Sequence, residues 1–350
     1  RNMNINKELL RTILKELCEI NGASGREENV REYILDKIRD KCSCTILPSG
    51  CIVAEYKGRK TPEKKLMISA HMDEVGLIIT GINSDGTLAF NCVGGVEADA
   101  VIGRQVMTEN GIYGSVGSKA VHNMTEDERK TPPKFDGLYI DIGAKDKSEA
   151  EKFIRPGDYA YYTCGYALSQ DGYVRSKAID DRAGCAVMIA MILEDIPEYD
   201  CTFTFVTQEE IGLRGARTAA FYAAPDFAIV LEATTAADIP LSEGDKRCCL
   251  LGKGPVVSYM DRSTVYDRKL FDLSQKIARD NSISWQTKTL IAGGNDSGAI
   301  HISRSGVRTI AISVPCRYLH TPCCVIDEND YFDTFALACA MADKITDSEI

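Results

Sequence analysis

The amino-acid sequence predicts an α/β fold in which a mixed, mostly parallel sheet is flanked by helices and carries an inserted small β-barrel domain. Helical and strand-like periodicities alternate at both ends of the 350-residue chain, which favours a sheet covered on both faces. Residues from about 75 to 165 instead hold short, glycine-rich, strand-like segments, a pattern typical of a small barrel. The chain is also longer than an average single domain.

The N-terminal segment predicts two helices followed by two strands. Residues 7–20 repeat leucine and isoleucine at helical spacing. Ser24 and Glu27 form a capping-box pattern before a second helix at about 26–40. Strands are predicted over 51–56 and 65–70.

Beyond the glycine-rich stretch, helices and strands alternate again. Helices are predicted over 181–195, 213–223, 264–280 and 329–345. Strands are predicted over 201–207, 227–232, 255–260, 283–290 and 308–314. We therefore predict one α/β domain built from 1–73 and 166–350, with the β-barrel domain inserted as 74–165.

Composition and charge exclude several functional classes. The net charge of -10 argues against nucleic-acid binding, which needs a basic face. No apolar run reaches the ~20 residues of a membrane span, and the first ten residues lack the apolar core of a signal peptide. The 14 cysteines include adjacent pairs but no CxxC. We therefore expect free thiols and a cytoplasmic location.

Acidic or histidine residues follow predicted strands at several places along the chain. They are His71 with Asp73, Asp180 with Asp181, Glu209 with Glu210, Glu232 and His320. Ligands of open α/β sheets bind at the carboxyl ends of strands, so we expect these side chains to meet in one crevice. Singly, each has a structural explanation, such as a helix cap or a solvated pair. Together they predict a site for zinc, cobalt or manganese.

A pair of divalent ions about 3.5–4 Å apart needs a shared carboxylate and a bridging water. A base outside the metal ligands then removes a proton from that water. Glu209 and Glu210 suit these two roles, one as a metal ligand and the other as the base, because successive side chains leaving a strand point in different directions. Asp73 lies two residues from His71 and is expected to orient its ring.

Five segments carry a specific family resemblance. They are HMDEVG at 71–76, IDDRAGC at 179–185, EEIGLRGA at 209–216, GGNDSGAI at 293–300 and RYLHTP at 317–322. Their order and the residues within them resemble the tetrahedral aminopeptidase family of dinuclear metallopeptidases, which includes glutamyl and deblocking aminopeptidases and CelM-like proteins. The resemblance runs through nearly the whole chain, including the glycine-rich stretch.

This resemblance implies a phosphorylase/hydrolase-like domain of the zinc-peptidase type that hydrolyses peptides with a free N-terminus. It implies two divalent ions per subunit, with zinc favoured and cobalt or manganese as alternatives. The inserted barrel is expected to mediate dimerisation, and the dimers are expected to assemble into a dodecamer.

The resemblance also assigns roles to individual residues. The implied metal ligands are His71, Asp180, Glu210, Glu232 and His320. Asp180 is the bridging ligand, and its bond to the next residue is expected to be cis. Glu209 is the general base, and Asp73 supports the first histidine. The family commonly has Asp where this chain has Glu232, and Asp238 is a weaker substitute for that ligand.

The substrate pocket is less strongly indicated. Asn295 and Asp296 form either a pocket wall or a helix cap, and Arg317 either contacts substrate or supports its loop. His122 and His301 lack motif partners and are predicted to be structural or surface residues.

Other functions stay open at this point. An endoglucanase-like glycoside hydrolase needs only two carboxylates about 5–9.5 Å apart, but the single tryptophan argues against a sugar cleft. A carboxypeptidase or deacylase of the same clan is a second alternative. A non-catalytic scaffold is a third, which the presence of Glu209 disfavours.

Overall fold

A computed structural model describes residues 5–291 and 293–347. Its α-helices are α1 (Lys7–Glu19), α2 (Glu28–Ile38), α3 (Ala98–Val101), α4 (Glu126–Lys130), α5 (Lys147–Ala150), α6 (Ile179–Leu193), α7 (Arg214–Ala223), α8 (Arg268–Asp280), α9 (Ser297–Ile300) and α10 (Glu328–Asp347). Its strands are β1 (Cys42–Ile46), β2 (Ile52–Tyr56), β3 (Leu66–His71), β4 (Gly76–Ile82), β5 (Leu88–Val93), β6 (Gln105–Thr108), β7 (Tyr113–Ser118), β8 (Leu138–Asp141), β9 (Tyr159–Tyr162), β10 (Ala167–Leu168), β11 (Tyr173–Ser176), β12 (Cys201–Val206), β13 (Phe227–Thr235), β14 (Val256–Val257), β15 (Arg308–Cys316) and β16 (Cys324–Asp327).

The main sheet has the strand order β1-β2-β12-β3-β13-β15-β14. The four strands from β12 to β15 in this order run parallel, and the remaining strands pair antiparallel at the two edges. Every residue of β3 is buried, as is all of β13 except its last residue. Such continuous burial is expected of parallel strands covered on both faces. The predicted mixed sheet flanked by helices is confirmed.

Helix α6 lies at the centre of the packing. Its residues from Ile179 to Ile192 are all buried, and it packs between β3, β13 and α1. From Ala183 onward this helix has no charged side chain, and a helix that is apolar all round must be surrounded by protein. The first residues of α6 are thereby held firmly beside the ends of the central strands.

Six strands form a closed barrel in the order β4-β5-β8-β7-β6-β9. Closure leaves no open edge that could pair with another chain. The barrel has its own apolar core, which includes Leu77, Phe90, Val106 and Ile140. The predicted barrel is confirmed, while the domain bounds 74–165 stay a prediction.

Several local expectations were wrong. Residues 283–290 form no strand, and Gln286 makes only an isolated bridge to Val256. A small sheet of β10, β11 and β16 was not predicted, nor was β1. Helix α2 begins at Glu28 without a side-chain cap. Within the described part of the chain, no helix combines the length and apolar character of a membrane span.

Candidate metal centre

The end of β3 and the middle of β13 bring two predicted ligands together. His71 ends β3, and the pairing of Val230 with Ser69 places Glu232 level with His71 two residues further on. The two side chains meet, with His71 Nε2 3.2 Å from Glu232 Oε1. Glu232 is not at a strand end as predicted, because β13 continues to pair with β15 as far as Thr235.

Asp180 lies between the two predicted histidine ligands. Its Oδ1 is 3.2 Å from His71 Nε2, and its Oδ2 is 3.4 Å from His320 Nε2. His320 Nε2 also lies 3.4 Å from Glu210 Oε2. One carboxylate therefore presents each oxygen to a different imidazole, which is the geometry required of a shared ligand.

The chain around Asp180 differs from the prediction in one respect. Asp180 lies in the non-helical first turn of α6, four residues after the short strand β11, rather than directly after a strand of the main sheet. Its peptide bond to Asp181 is cis, as the family resemblance implied.

Asp73 organises the loop that carries the two glutamates. It is fully buried, and its Oδ1 accepts a hydrogen bond from the backbone amide of Glu209 at 3.0 Å. Its Oδ2 accepts from the Glu210 amide at 3.2 Å and from Ser24 Oγ at 2.6 Å. The Asp73 carboxylate thus holds the backbone of the predicted base, Glu209, and of one predicted ligand, Glu210.

Asp181 is a buried acidic residue of the centre that sequence reasoning did not single out as a ligand. It forms a group with His71 and Glu232 whose ligand atoms lie within 4.8 Å of one another. Its Oδ1 accepts from the Gly184 amide at 2.9 Å. Its position next to Asp180 in the IDDRAGC motif was the available signal.

The carboxylates of the centre carry strongly shifted pKa values. Burial raises the pKa of Glu209 to about 7, since little solvent reaches its charged form. Burial likewise raises the pKa of Glu210 and of Glu232 well above the usual range, and neighbouring carboxylates add to both shifts. A nearby positive charge would strongly stabilise the ionised forms of these carboxylates.

The pKa values of the two imidazoles are raised as well, here by the carboxylates around them. Burial disfavours a charged His320, but its hydrogen bond to Asp180 and the charges of the nearby carboxylates together outweigh burial and raise the pKa of His320 to about 10. For His71, burial is likewise outweighed, by the charge of Glu232 and by hydrogen bonds, so its pKa rises well above the usual value. Burial opposes ionisation of Asp180, yet the two imidazoles lower its pKa.

The donor set fits a divalent cation. It combines imidazole nitrogens with carboxylate oxygens, the ligands that zinc, cobalt and manganese accept. Within the described residues, the buried Glu232 Oε2 and Asp181 Oδ2 have no hydrogen-bond partner. Buried polar atoms are normally satisfied, and a cation would satisfy these two.

A cleft of about 190 Å³ opens beside the predicted ligands. Its lining includes Asp180, Glu209, Glu232, Thr234, Thr235, Cys248, Lys288, Asn295 and His320. The cleft therefore places the predicted base and ligands in contact with a space that could hold a substrate. The lysine and the cysteine in its wall lie outside the motifs quoted above and were not predicted from the sequence.

The predicted substrate contacts lie in different surroundings. Asn295 lines the cleft, and Asp296 is buried with both carboxylate oxygens unpartnered within the described residues. Arg317 instead donates to both oxygens of Asp238, at 2.7 and 2.8 Å. Asp238 is thus engaged away from the predicted ligands, and a substrate contact by Arg317 stays a prediction.

The remaining histidines lie apart from the centre. His122 is exposed on a short 3-10 helix of the β-barrel segment. His301 is half-buried, and its Nδ1 lies 2.8 Å from the backbone oxygen of Ser297.

A loop of the barrel closes one side of the centre. A methyl group on Gly94 would lie 3.2 Å from Glu210 Cβ, and one on Gly95 would lie 3.3 Å from His320 Nδ1. The inserted barrel therefore packs its backbone directly against two predicted ligands.

The family model described as M42 glutamyl aminopeptidase matches residues 50–337. The chain belongs to the M42 family. A protein of Acetivibrio thermocellus is 39% identical over 314 residues, which cover 89% of this chain and 91% of that protein. The lysyl aminopeptidase of Pyrococcus furiosus is 30% identical over 343 residues, covering 95% and 96%.

Solved structures agree with the M42 assignment. An aminopeptidase from Desulfurococcus kamchatkensis has a TM-score of 0.91 at 31% identity, covering 97% of this chain and 96% of its own. A TET1 peptidase from Pyrococcus horikoshii has a TM-score of 0.83 at 32% identity, covering 96% and 99%. The family resemblance drawn from the motifs is confirmed.

Proposed function

We propose that this M42 protein is a metal-dependent aminopeptidase that hydrolyses the N-terminal residue of peptides. One observation carries the proposal: Asp180 presents one oxygen to His71 and the other to His320, within a cleft that also contains Glu209. The family supports the same activity, since its described model and the named relatives are aminopeptidases.

We infer that two divalent ions bind per subunit. His71 and Glu232 would hold one ion, His320 and Glu210 the other, and Asp180 would be shared. Zinc is favoured by the mixed nitrogen and oxygen donors, with cobalt or manganese as alternatives. When bound, such ions polarise the scissile carbonyl and lower the pKa of water.

Glu209 is proposed as the general base. It faces the cleft, and burial raises its pKa to about 7, which suits proton uptake near neutral pH. Glu209 would accept a proton from the attacking water and then donate it to the leaving amine. Asp73 fixes the Glu209 backbone and so the position of this carboxylate.

Asn295 and Asp296 stay proposed substrate contacts. Asn295 lines the cleft, and its Nδ2 donates to Tyr266 Oη at 3.0 Å, which holds the amide in place. Asp296 lies close enough to Glu209 for their charges to interact, and burial raises its pKa well above the usual range. A carboxylate here could accept a hydrogen bond from the free α-amine of the substrate.

A substrate panel tests the proposed function. Chelator-treated enzyme should lose hydrolysis of aminoacyl-p-nitroanilides and regain it with zinc, cobalt or manganese. Acetylation of the substrate α-amine should abolish cleavage. Release of acetate from the acetylated substrates would instead support a deacylase, and release of C-terminal residues a carboxypeptidase.

The glycosidase alternative receives little support. A Thermotoga maritima structure described as an endoglucanase has a TM-score of 0.78 at 34% identity. No phenylalanine, tyrosine or tryptophan is among the described residues that line the cleft, and Trp285 packs against the main core. The endoglucanase description conflicts with the M42 family and is a misannotation.

We infer that the protein is a homo-oligomer. The Pyrococcus horikoshii TET1 peptidase assembles into a tetrahedron or an octahedral shell. Dimers formed through the barrel domain, 74–165, would assemble into a dodecamer here. Native mass spectrometry would show the subunit number, and a monomer at micromolar concentration would contradict the inference. A cytoplasmic location stays a prediction from the thiol content.

A further inference from the structure

The M42 relatives differ in the residue that they are named for removing. The Pyrococcus furiosus relative is a lysyl aminopeptidase, and the Lactococcus lactis relative is a glutamyl aminopeptidase. Membership of the family therefore does not set the side-chain preference of this chain. That preference must come from groups in the wall of the cleft other than the predicted ligands and base.

One wall of the cleft leads away from the metal centre along β13. From Glu232 to Thr235 the strand advances about 10 Å, at roughly 3.3 Å per residue. Cys249 Sγ donates to the backbone oxygen of Thr235 at 3.2 Å, which fixes the neighbouring Cys248 at this end of the wall. The wall therefore extends far enough from the ligands to contact a substrate side chain.

Lys288 stands in the same region and is held there by its neighbours. The Thr289 amide donates to the Cys248 backbone oxygen at 2.9 Å. On the other side, Gln286 Oε1 accepts from the Leu250 amide at 2.9 Å, and Gln286 Nε2 donates to the Leu250 oxygen at 2.7 Å. Lys288 lies between these two anchored residues, and its half-buried side chain lines the cleft.

The charged groups around Lys288 leave its ammonium group available to contact a substrate. Among the described residues that line the cleft, Lys288 is the one charged group besides Glu209 and the predicted ligands. No carboxylate of the described residues lies within 4.0 Å of its Nζ. Asp238, which is not among the residues that line the cleft, already accepts from Arg317 through both oxygens.

We propose that Lys288 binds the side-chain carboxylate of an N-terminal glutamate or aspartate, so that this enzyme prefers acidic N-terminal residues. A carboxylate accepting from a half-buried ammonium forms a strong, charge-assisted hydrogen bond. A basic N-terminal residue would meet a like charge at the same place. This inference rests on the proposed function, because it assumes that the peptide N-terminus binds at the metal centre.

Charge reversal at Lys288 tests the proposal. Wild-type enzyme reconstituted with metal should cleave glutamyl-p-nitroanilide with a higher kcat/KM than the leucyl and lysyl substrates. Lys288→Glu should lower kcat/KM for the glutamyl substrate by about 10- to 100-fold, the range for loss of a hydrogen bond to a charged group, and raise it for the lysyl substrate. Lys276→Glu makes the same charge change on the exposed face of α8 and should leave the ranking unchanged.

A second variant and a binding measurement distinguish the loss of this contact from misfolding of the charge-reversed protein. Lys288→Met keeps the aliphatic stem and should lose the glutamyl preference without gaining the lysyl substrate. Calorimetric titration of a Glu-Ala dipeptide into metal-loaded Glu209→Gln protein should give weaker binding once Lys288 is also replaced. If wild-type enzyme cleaves no aminoacyl substrate, the proposed function fails. If it cleaves them with a ranking that Lys288→Glu leaves unchanged, only the role of Lys288 fails.

Discussion

Asp73 accepts a hydrogen bond from the backbone amide of Glu209 at 3.0 Å. The residue was expected to support His71 through its carboxylate, but that ring lies closer to another atom of Asp73. His71 Nδ1 is 3.0 Å from the Asp73 backbone oxygen and 3.5 Å from Oδ1. The carboxylate of Asp73 mainly fixes the glutamate loop, and its backbone oxygen orients the histidine.

We expect Asp73→Asn to weaken both catalysis and folding. The asparagine NH2 group would face an amide donor where a carboxylate oxygen now accepts, at a cost of about 1–3 kcal/mol for an unsatisfied buried group. The free energy of unfolding, measured in urea, and kcat should both fall, whereas Asp85→Asn in an exposed turn of the barrel should alter neither. Unchanged kcat in Asp73→Asn would argue against its role in positioning Glu209.

Glu209→Gln should abolish turnover while metal binding survives. Glutamine keeps the shape of the side chain but cannot accept the proton, and loss of a general base typically lowers rates by about 10²–10⁴-fold. Steady-state kinetics and metal analysis by mass spectrometry would be measured on the same sample. Glu63→Gln, an exposed replacement of the same kind, is the control. Substantial residual kcat would remove Glu209 from the role of base.

Asp180→Ala should reduce the metal content more than His320→Ala does. Asp180 faces both imidazoles, so its loss affects both proposed ions, whereas His320 faces only one side of the centre. Metal content after dialysis should fall towards zero in the first variant and towards one ion per subunit in the second. Equal retention in both variants would contradict a shared Asp180.

Glu74→Gln should destabilise the fold strongly. Lys177 Nζ donates to both oxygens of Glu74 at 2.6 and 2.8 Å, and both side chains are buried. Removing one partner of a buried ion pair costs about 3–5 kcal/mol, because the other charge stays buried. The exposed pair of Lys130 with Glu126 supplies the control, since exposed pairs contribute only about 0–1 kcal/mol. Similar unfolding free energies for Glu74→Gln and Glu126→Gln would contradict the prediction.

Glu27→Gln should become relatively more stabilising as the pH rises. Burial raises the pKa of Glu27 to about 7 from an ordinary value of 4.5. The folded state therefore disfavours the charged form, so the penalty is absent below the unfolded pKa, grows between the two values and is complete above the folded one. The difference in unfolding free energy from wild type should shift by about 1–3 kcal/mol between pH 5 and pH 8. An equal difference at both pH values would refute the shift.

Much of the fold was predictable because its central elements have strong local patterns. Strands β3 and β13 and helix α6 are apolar over most of their length and are buried over most of it. Residues 283–290 misled the prediction, since Ile283 and Trp285 alternate with the polar Ser284 and Gln286 as in a strand. In the structure, the Gln286 side chain instead bonds the backbone of Leu250 and Gly254, and strand pairing stops at one bridge.

The residues of the metal centre could be predicted where they stand in short sequence motifs. Contacts between distant segments were not predictable. Ser24 has the sequence of a helix cap, but its hydroxyl donates to Asp73, 49 positions away. Lys288 belongs to no motif, and its place in the cleft depends on the bonds of Gln286 and Thr289 to residues 248–250.

The bare backbone at Gly94 and Gly95 limits how the barrel can change over evolution. Even a methyl group at either position would press on Glu210 or His320. This contact must therefore stay without side chains. A shortened enzyme lacking the insertion would expose the predicted ligands to bulk water, so the barrel is a wall of the reaction chamber as well as a candidate surface for assembly.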